Sequence, residues 1–191
     1  MEPTQLPRIL IVTASTRPHR LGPAVADWFS GLAETRGGLN VWLADLADAD
    51  LPAVLGGRPT QGLTRLQRQL DEADGIVVVT PEYNHSFPAS LKQAIDLTGA
   101  HWRTKPVGFV SYGGRSGGIR ATEQLRQVLP ELHATSIREN VSIPQVWELV
   151  DTDGALVSNK ALDEAAHRLL DQLSWWALAL RDARATRPYA A

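Results

Sequence analysis

An α/β domain with a doubly wound five-stranded parallel sheet is predicted by three observations. Short β-branched runs alternate with stretches of helical periodicity. The central runs are apolar on both faces, as strands covered by helices on both sides must be. Three loops of unusual chemistry follow directly after such runs. At 191 residues and 43% hydrophobic composition, the chain is long enough for one well-buried core and short for two, so residues 1–191 are expected to form a single domain.

In chain order, Ile9-Leu10-Ile11-Val12 is apolar throughout and reads as a central strand. A helix is predicted over residues 23–35. Leu39-Asn40-Val41-Trp42-Leu43 alternates, which suits a strand nearer the edge. The Pro/Gly-rich stretch Pro52 to Gly62 is a surface loop, followed by a helix over 62–73. Ile76-Val77-Val78-Val79 and Val107-Gly108-Phe109-Val110 are again apolar on both faces, with a helix over 88–98 between them. A helix over 118–129 leads to a last strand within 134–143, which Pro144 stops. The final helix, 159–185, sets Leu162, Ala166, Leu169, Leu170, Leu173, Trp176 and Leu180 on one stripe. The strand order 2-1-3-4-5, with helices on both faces, brings the first and third strands together and places a ligand at the carboxyl ends of the strands.

Composition narrows the chemistry. Lys and Arg together number 19 against 21 acidic residues, which leaves no global positive field for a nucleic acid or an anionic membrane. The absence of cysteine removes disulfides, thiolate ligands and a cysteine nucleophile. Met1 to Arg8 is polar, and no apolar run reaches the roughly 18 residues that a membrane span needs. These features set the expectation of a cytoplasmic protein whose partners are small molecules. Six tryptophans, with Trp147, Trp175 and Trp176 outside the strand runs, predict self-association as a homodimer or tetramer.

The first loop, Thr13 to Gly22, contains Ser15, Thr16, Arg17 and Arg20 just before a helix start. Hydroxyls, guanidinium groups and free helix N–H groups together suit a phosphate monoester. The segment matches neither the dinucleotide glycine fingerprint nor the phosphate-binding loop of nucleotidases. The second loop, Thr80-Pro81-Glu82-Tyr83-Asn84-His85, combines a stiffening proline, an aromatic side chain and amide groups, as a planar heterocycle with polar edges requires. His85 has no second ligand at metal spacing and reads as a solvated side chain. The third loop, Ser111-Tyr112-Gly113-Gly114-Arg115-Ser116-Gly117-Gly118, holds four glycines in six positions and lets the backbone approach a ligand.

Ser15-Thr16-Arg17, Thr80-Pro81-Glu82-Tyr83-Asn84 and Ser111-Tyr112-Gly113-Gly114 together resemble, in order and spacing, the three FMN-binding loops of the NADPH-dependent FMN reductase family. The resemblance runs from about Arg8 to Ile143 and implies a flavodoxin-like fold. It also implies that Ser15, Thr16, Arg17 and Arg20 hold the FMN phosphate, that Pro81, Glu82, Tyr83 and Asn84 line the ring and its pyrimidine edge, and that Ser111, Tyr112, Gly113 and Gly114 flank it. Ala14 departs from the family, where glycine is common, and puts the placement of that turn in question. The implied reaction passes hydride from NADPH or NADH to bound FMN and then to a flavin, quinone, azo or similar acceptor in a ping-pong cycle, with no catalytic side chain and no metal. The competing reading is a flavodoxin-type electron carrier. Such carriers are, by resemblance, more acidic than this chain, whose net charge is −2, and they cap the flavin with aromatics from two loops, where the third loop here offers only Tyr112. No motif selects NADPH over NADH.

Overall fold

The computed structural model describes residues 5–190; Met1 to Thr4, the start of the polar opening segment, and Ala191 lie outside it. Strands β1 (Arg8–Thr13), β2 (Asn40–Asp45), β3 (Gly75–Pro81), β4 (Pro106–Gly113) and β5 (Thr135–Pro144) form one sheet. The order is β2-β1-β3-β4-β5, and every pairing is parallel. Helices α1 (Gly22–Arg36), α2 (Gln61–Glu72), α3 (Ala89–Thr98), α4 (Ile119–Val128) and α5 (Lys160–Thr186) fill the crossovers and the return. Each predicted helix lies within a residue or two of its observed position. Thr60 and Asn159 cap α2 and α5 by accepting from the N–H of Leu63 and Leu162, 3.0 Å each.

Strand alternation sorts the core into two layers. Ile9, Ile11, Val77, Val79 and Val110 point to the side covered by α1 and α5, where Phe29, Leu169 and Leu173 meet them. Leu10, Val12, Ile76, Val78 and Phe109 point to the other side, against Leu66, Leu70, Leu91, Ile95 and Leu125 of α2, α3 and α4. Every residue of β3 is buried, which explains the continuous apolar run. Edge strands β2 and β5 have no fully apolar run because one side of each ladder is open. Charged Arg138 and Glu139 and a register irregularity opposite Val107 to Phe109 protect the β5 edge from unwanted pairing.

Helix α5 buries Ala166, Leu169, Leu170, Leu173 and Ala177. Toward its end the predicted stripe drifts, however: Trp176 is only partly buried against that core, and with Leu180 it also lines a separate cavity. Four 3-10 turns, at Leu46–Asp48, Gly99–Trp102, Leu129–Leu132 and Val146–Leu149, had no periodic signal and appear only in the folded chain. No described helix is long and apolar enough to cross a membrane.

Candidate functional site

Parallel pairing brings the carboxyl ends of β1, β3 and β4 side by side. Thr80 pairs with Ser111 and Pro81 with Tyr112, while Thr13 pairs with Val79. The loops that leave these strands therefore meet at one edge of the sheet. They enclose a cleft of about 150 Å³ lined by Ser15, Arg17, Leu21, Pro81, Glu82, Tyr83, Tyr112, Gly113, Gly114, Val146 and Trp147.

The first loop begins with Ala14, whose N–H donates to the Val79 carbonyl (2.9 Å) and whose carbonyl accepts from Ser90 Oγ (2.7 Å). Its methyl group is buried in the α2/α3 layer, and its φ is not positive. Alanine thus fits where the family commonly has glycine, and the turn keeps its place. Ser15 is buried and shares a hydrogen bond of 2.9 Å with the Tyr83 hydroxyl. Arg17 is exposed, its guanidinium 5.2 Å from the centroid of the Tyr83 ring. Thr16 is exposed on the same turn. Arg20 turns away and donates to Asp45 and to the Ser15 carbonyl, and the Asp45 hydrogen bond raises its pKa. Helix α1 then starts at Leu21 without a side-chain cap, with proline in its first turn and no acidic residue there. Its N–H groups and partial positive charge face the loop.

In the second loop Tyr83 and Ser86 exchange backbone hydrogen bonds of 2.8 and 3.0 Å, closing a two-residue hairpin over Asn84 and His85. Both central residues have positive φ, 51° and 68°, the geometry of a type I′ turn. Their exposed side chains stand at the tip. Gln124 of α4 pins the hairpin by donating to the His85 carbonyl (2.9 Å).

Glu82 ties the second loop to the third. Its carboxylate accepts from Ser116 Oγ (2.8 Å), the Arg120 N–H (3.1 Å) and Arg120 Nη1 (2.7 Å), and its own N–H donates to the Tyr112 carbonyl (3.0 Å). Burial alone would raise the Glu82 pKa, but the hydrogen bonds from Arg120 and Ser116 outweigh it and hold the carboxyl below its ordinary value. A depressed folded-state pKa contributes stability that is fully present above the unfolded value and lost as pH falls through the folded one. Glu82→Gln is therefore expected to cost about 1–2 kcal/mol near neutral pH. That difference from the parent should shrink as urea titrations are moved below about pH 4; a pH-independent difference would refute the ionic clamp.

The third loop departs from expectation at two side chains. Ser111 is fully buried and donates to the Gly117 carbonyl (2.8 Å), so it braces the loop from within. The Tyr112 ring is 4% exposed and belongs to the α1/α5 core, which removes it as an aromatic cap over a ligand. Its hydroxyl reaches beneath the first loop and has no hydrogen-bond partner among the described residues. Burial pushes this phenol up, so it stays protonated. The glycine requirement also falls elsewhere than expected. Gly113 and Gly114 have ordinary φ and space for a Cβ, with nearest contacts of 3.6 and 3.7 Å, whereas Gly117 and Gly118 have φ of 57° and 88° and no space for one.

The segment after β5 supplies what the sequence reading missed. Gln145, at φ 49°, turns the chain and donates its N–H to the Gly114 carbonyl (3.1 Å). Val146 and Trp147 then join the cleft wall, Trp147 with 55% of its surface exposed. The signal was available, since a loop leaving the carboxyl end of a fifth strand belongs at the same edge as the others. Among the described residues no cluster of His, Asp or Glu could hold a metal ion.

The 2-1-3-4-5 sheet, with an uncapped helix start and three converging loops at its carboxyl edge, defines a doubly wound mononucleotide-binding domain. The chain belongs to the NADPH-dependent FMN reductase family, whose sequence profile matches residues 7–148. It is 35% identical over 135 residues to an NAD(P)H-dependent FMN reductase of Schizosaccharomyces pombe, covering 64% of this chain and 65% of that protein. A quinone reductase of Escherichia coli is 38% identical over 121 residues, 56% of this chain and 63% of the relative. The matched stretches thus span less than two thirds of these relatives. The solved structure of a flavoenzyme NAD(P)H:(acceptor) oxidoreductase from Paracoccus denitrificans superposes with a TM-score of 0.72 at 22% identity, covering 91% of this chain and 98% of that one, and shares the fold.

Proposed function

We propose that the cleft holds FMN, with its phosphate at the start of α1, and that the protein is an NAD(P)H-dependent oxidoreductase acting on a flavin, quinone, azo compound or similar small acceptor. The observation that carries this reading is the uncapped start of α1, which lies beside the exposed Arg17, a cation with no carboxylate partner among the described residues. Free N–H groups and the partial positive charge of a helix start favour a phosphate there. Ser15, Thr16 and Arg17 surround the same position. Arg20 serves there as a brace: held by Asp45, it fixes the carbonyl of Ser15 and hence the course of the loop. The backbone of residues 81–84 borders the ring and its pyrimidine edge, and Gly113 and Gly114 flank it without side chains. The names of the FMN and quinone reductases it resembles support the same assignment.

FMN supplies the redox chemistry, accepting a hydride equivalent from NAD(P)H and yielding it to the acceptor. This chain positions the cofactor and leaves one face accessible beside Trp147. With one face of the flavin accessible, donor and acceptor take the same place in turn, and initial-rate plots at several acceptor concentrations are parallel. The exposed Trp147 and Trp175 support self-association as a homodimer. The decisive experiment mixes FMN-loaded protein with NADPH, and separately NADH, without oxygen. Bleaching of the flavin absorbance by at least one of them before any acceptor is added is the expected result. Failure of both would replace the reductase with a one-electron carrier reduced by a protein partner.

A further inference from the structure

A second cavity, of about 380 Å³, lies at the opposite edge of the sheet, between α5 and the turns that enter β4 and β5. Thr104 precedes β4 and Thr135 begins β5, so the cavity sits at the amino ends of strands whose carboxyl ends form the flavin cleft. The eight residues of β4 separate the two by about 25 Å. Its walls are apolar: Trp176, Leu180 and Ala183 on α5, and Pro188 and Tyr189 on the segment that follows it. That segment leaves the helix extended and is pinned across the cavity mouth by Tyr189. The Tyr189 hydroxyl and His133 Nδ1 are 3.0 Å apart, and their rings meet edge to face at 5.7 Å.

The rim carries cations. Arg184 donates to the Thr104 carbonyl (2.7 Å) and to Asp74 (3.3 Å), and Asp74 is shared with Arg181 (3.6 Å). Asp74 is thus shared by two guanidinium groups, and Arg181 also approaches Asp182 (3.9 Å). Arg187, also lining the cavity, is exposed and has no carboxylate within salt-bridge distance among the described residues. Small-molecule sites typically measure about 300–1,000 Å³, with apolar walls and a few polar groups that fix orientation. Trp176 and Tyr189 put two aromatic side chains in the lining, and a carboxylate matches the planar fork of Arg187.

We propose that this cavity is a second small-molecule site, independent of the flavin, for an aromatic carboxylate held by stacking on Trp176 and by Arg187. Calorimetric titration of the purified protein with naphthoate, with and without added FMN, tests it. One equivalent per chain should bind in either case, leaving the flavin spectrum unshifted. The neutral naphthamide should bind about tenfold more weakly, and Arg187→Glu should weaken naphthoate by at least about tenfold, the worth of one charge-assisted hydrogen bond. Leu180→Trp should fill the cavity and abolish binding with FMN content unchanged; Arg187→Glu, at an exposed position, keeps the test decisive should that variant fold poorly. The proposal is overturned by the absence of binding up to millimolar naphthoate, by binding that survives the Arg187 substitution, or by competition with NAD(P)H at the flavin. It is equally overturned if the parent ignores naphthoate and sediments as a dimer that Leu180→Trp splits, which would give this face to a second copy of the chain.

Discussion

Gly118→Ala is expected to destabilise the protein by about 2–5 kcal/mol, combining the cost of a left-handed backbone at a residue with a Cβ and that of overpacking. At φ 88° the new methyl group would lie 2.6 Å from Ser111 Cβ and 2.8 Å from the Tyr112 nitrogen. Neither neighbour can yield, because both belong to the end of β4 and are hydrogen-bonded into the sheet. A loss of this size is a large fraction of the roughly 5–15 kcal/mol that keeps a typical domain folded. FMN retention should fall with it, since the same loop carries Gly113 and Gly114. Gly113→Ala is the control: its φ is ordinary and its nearest contact would be 3.6 Å, so less than about 1 kcal/mol should be lost. Urea denaturation of the two variants reads the difference. Equal stabilities would show that the loop relaxes freely around position 118.

Arg17→Ala is expected to weaken FMN by about 1.5–3 kcal/mol, or roughly 10- to 150-fold, while leaving riboflavin nearly unchanged. Arg17 is exposed and has no carboxylate partner among the described residues, and its guanidinium is oriented over Tyr83 beside the start of α1. Its charge is therefore free for a phosphate, and its loss should leave the fold almost untouched. Arg20→Ala should behave differently. Removing that side chain frees Asp45 and the Ser15 carbonyl, so it should reduce thermal stability as well as affinity. Fluorescence titration with the two flavins separates the cases. Equal affinity of the parent protein for FMN and riboflavin would end the assignment of the first loop to a phosphate.

Much of this architecture was legible before folding was considered. Runs such as Ile76 to Val79 are buried on both faces wherever the chain places them, so their apolar continuity alone marks a central parallel strand. Helix limits were readable to within a residue or two because helical periodicity is a local property of the chain. The three loops were legible as chemistry because their residue types sit immediately after buried strands. Trp147 was legible only as an aromatic outside the strand runs, because its place in the cleft wall depends on where the loop after β5 turns.

The sequence by itself therefore determined the fold class, the edge of the sheet that carries the cleft and the family. All of these follow from local periodicity or from short motifs in a fixed order. Only the tertiary structure decided which side chains of those motifs face the cleft. Arg20 is claimed by Asp45, 25 residues away. Glu82 is claimed by Arg120, 38 residues away, and the ring of Tyr112 by a core that includes Val25 and Leu169. Their partners lie on other elements, and no periodicity along the chain records which element will be nearest. Gly117 and Gly118 rather than Gly113 and Gly114 must be glycine for the same reason: space at a backbone position is set by what packs against it, and that is known only once β4, β5 and α4 have come together.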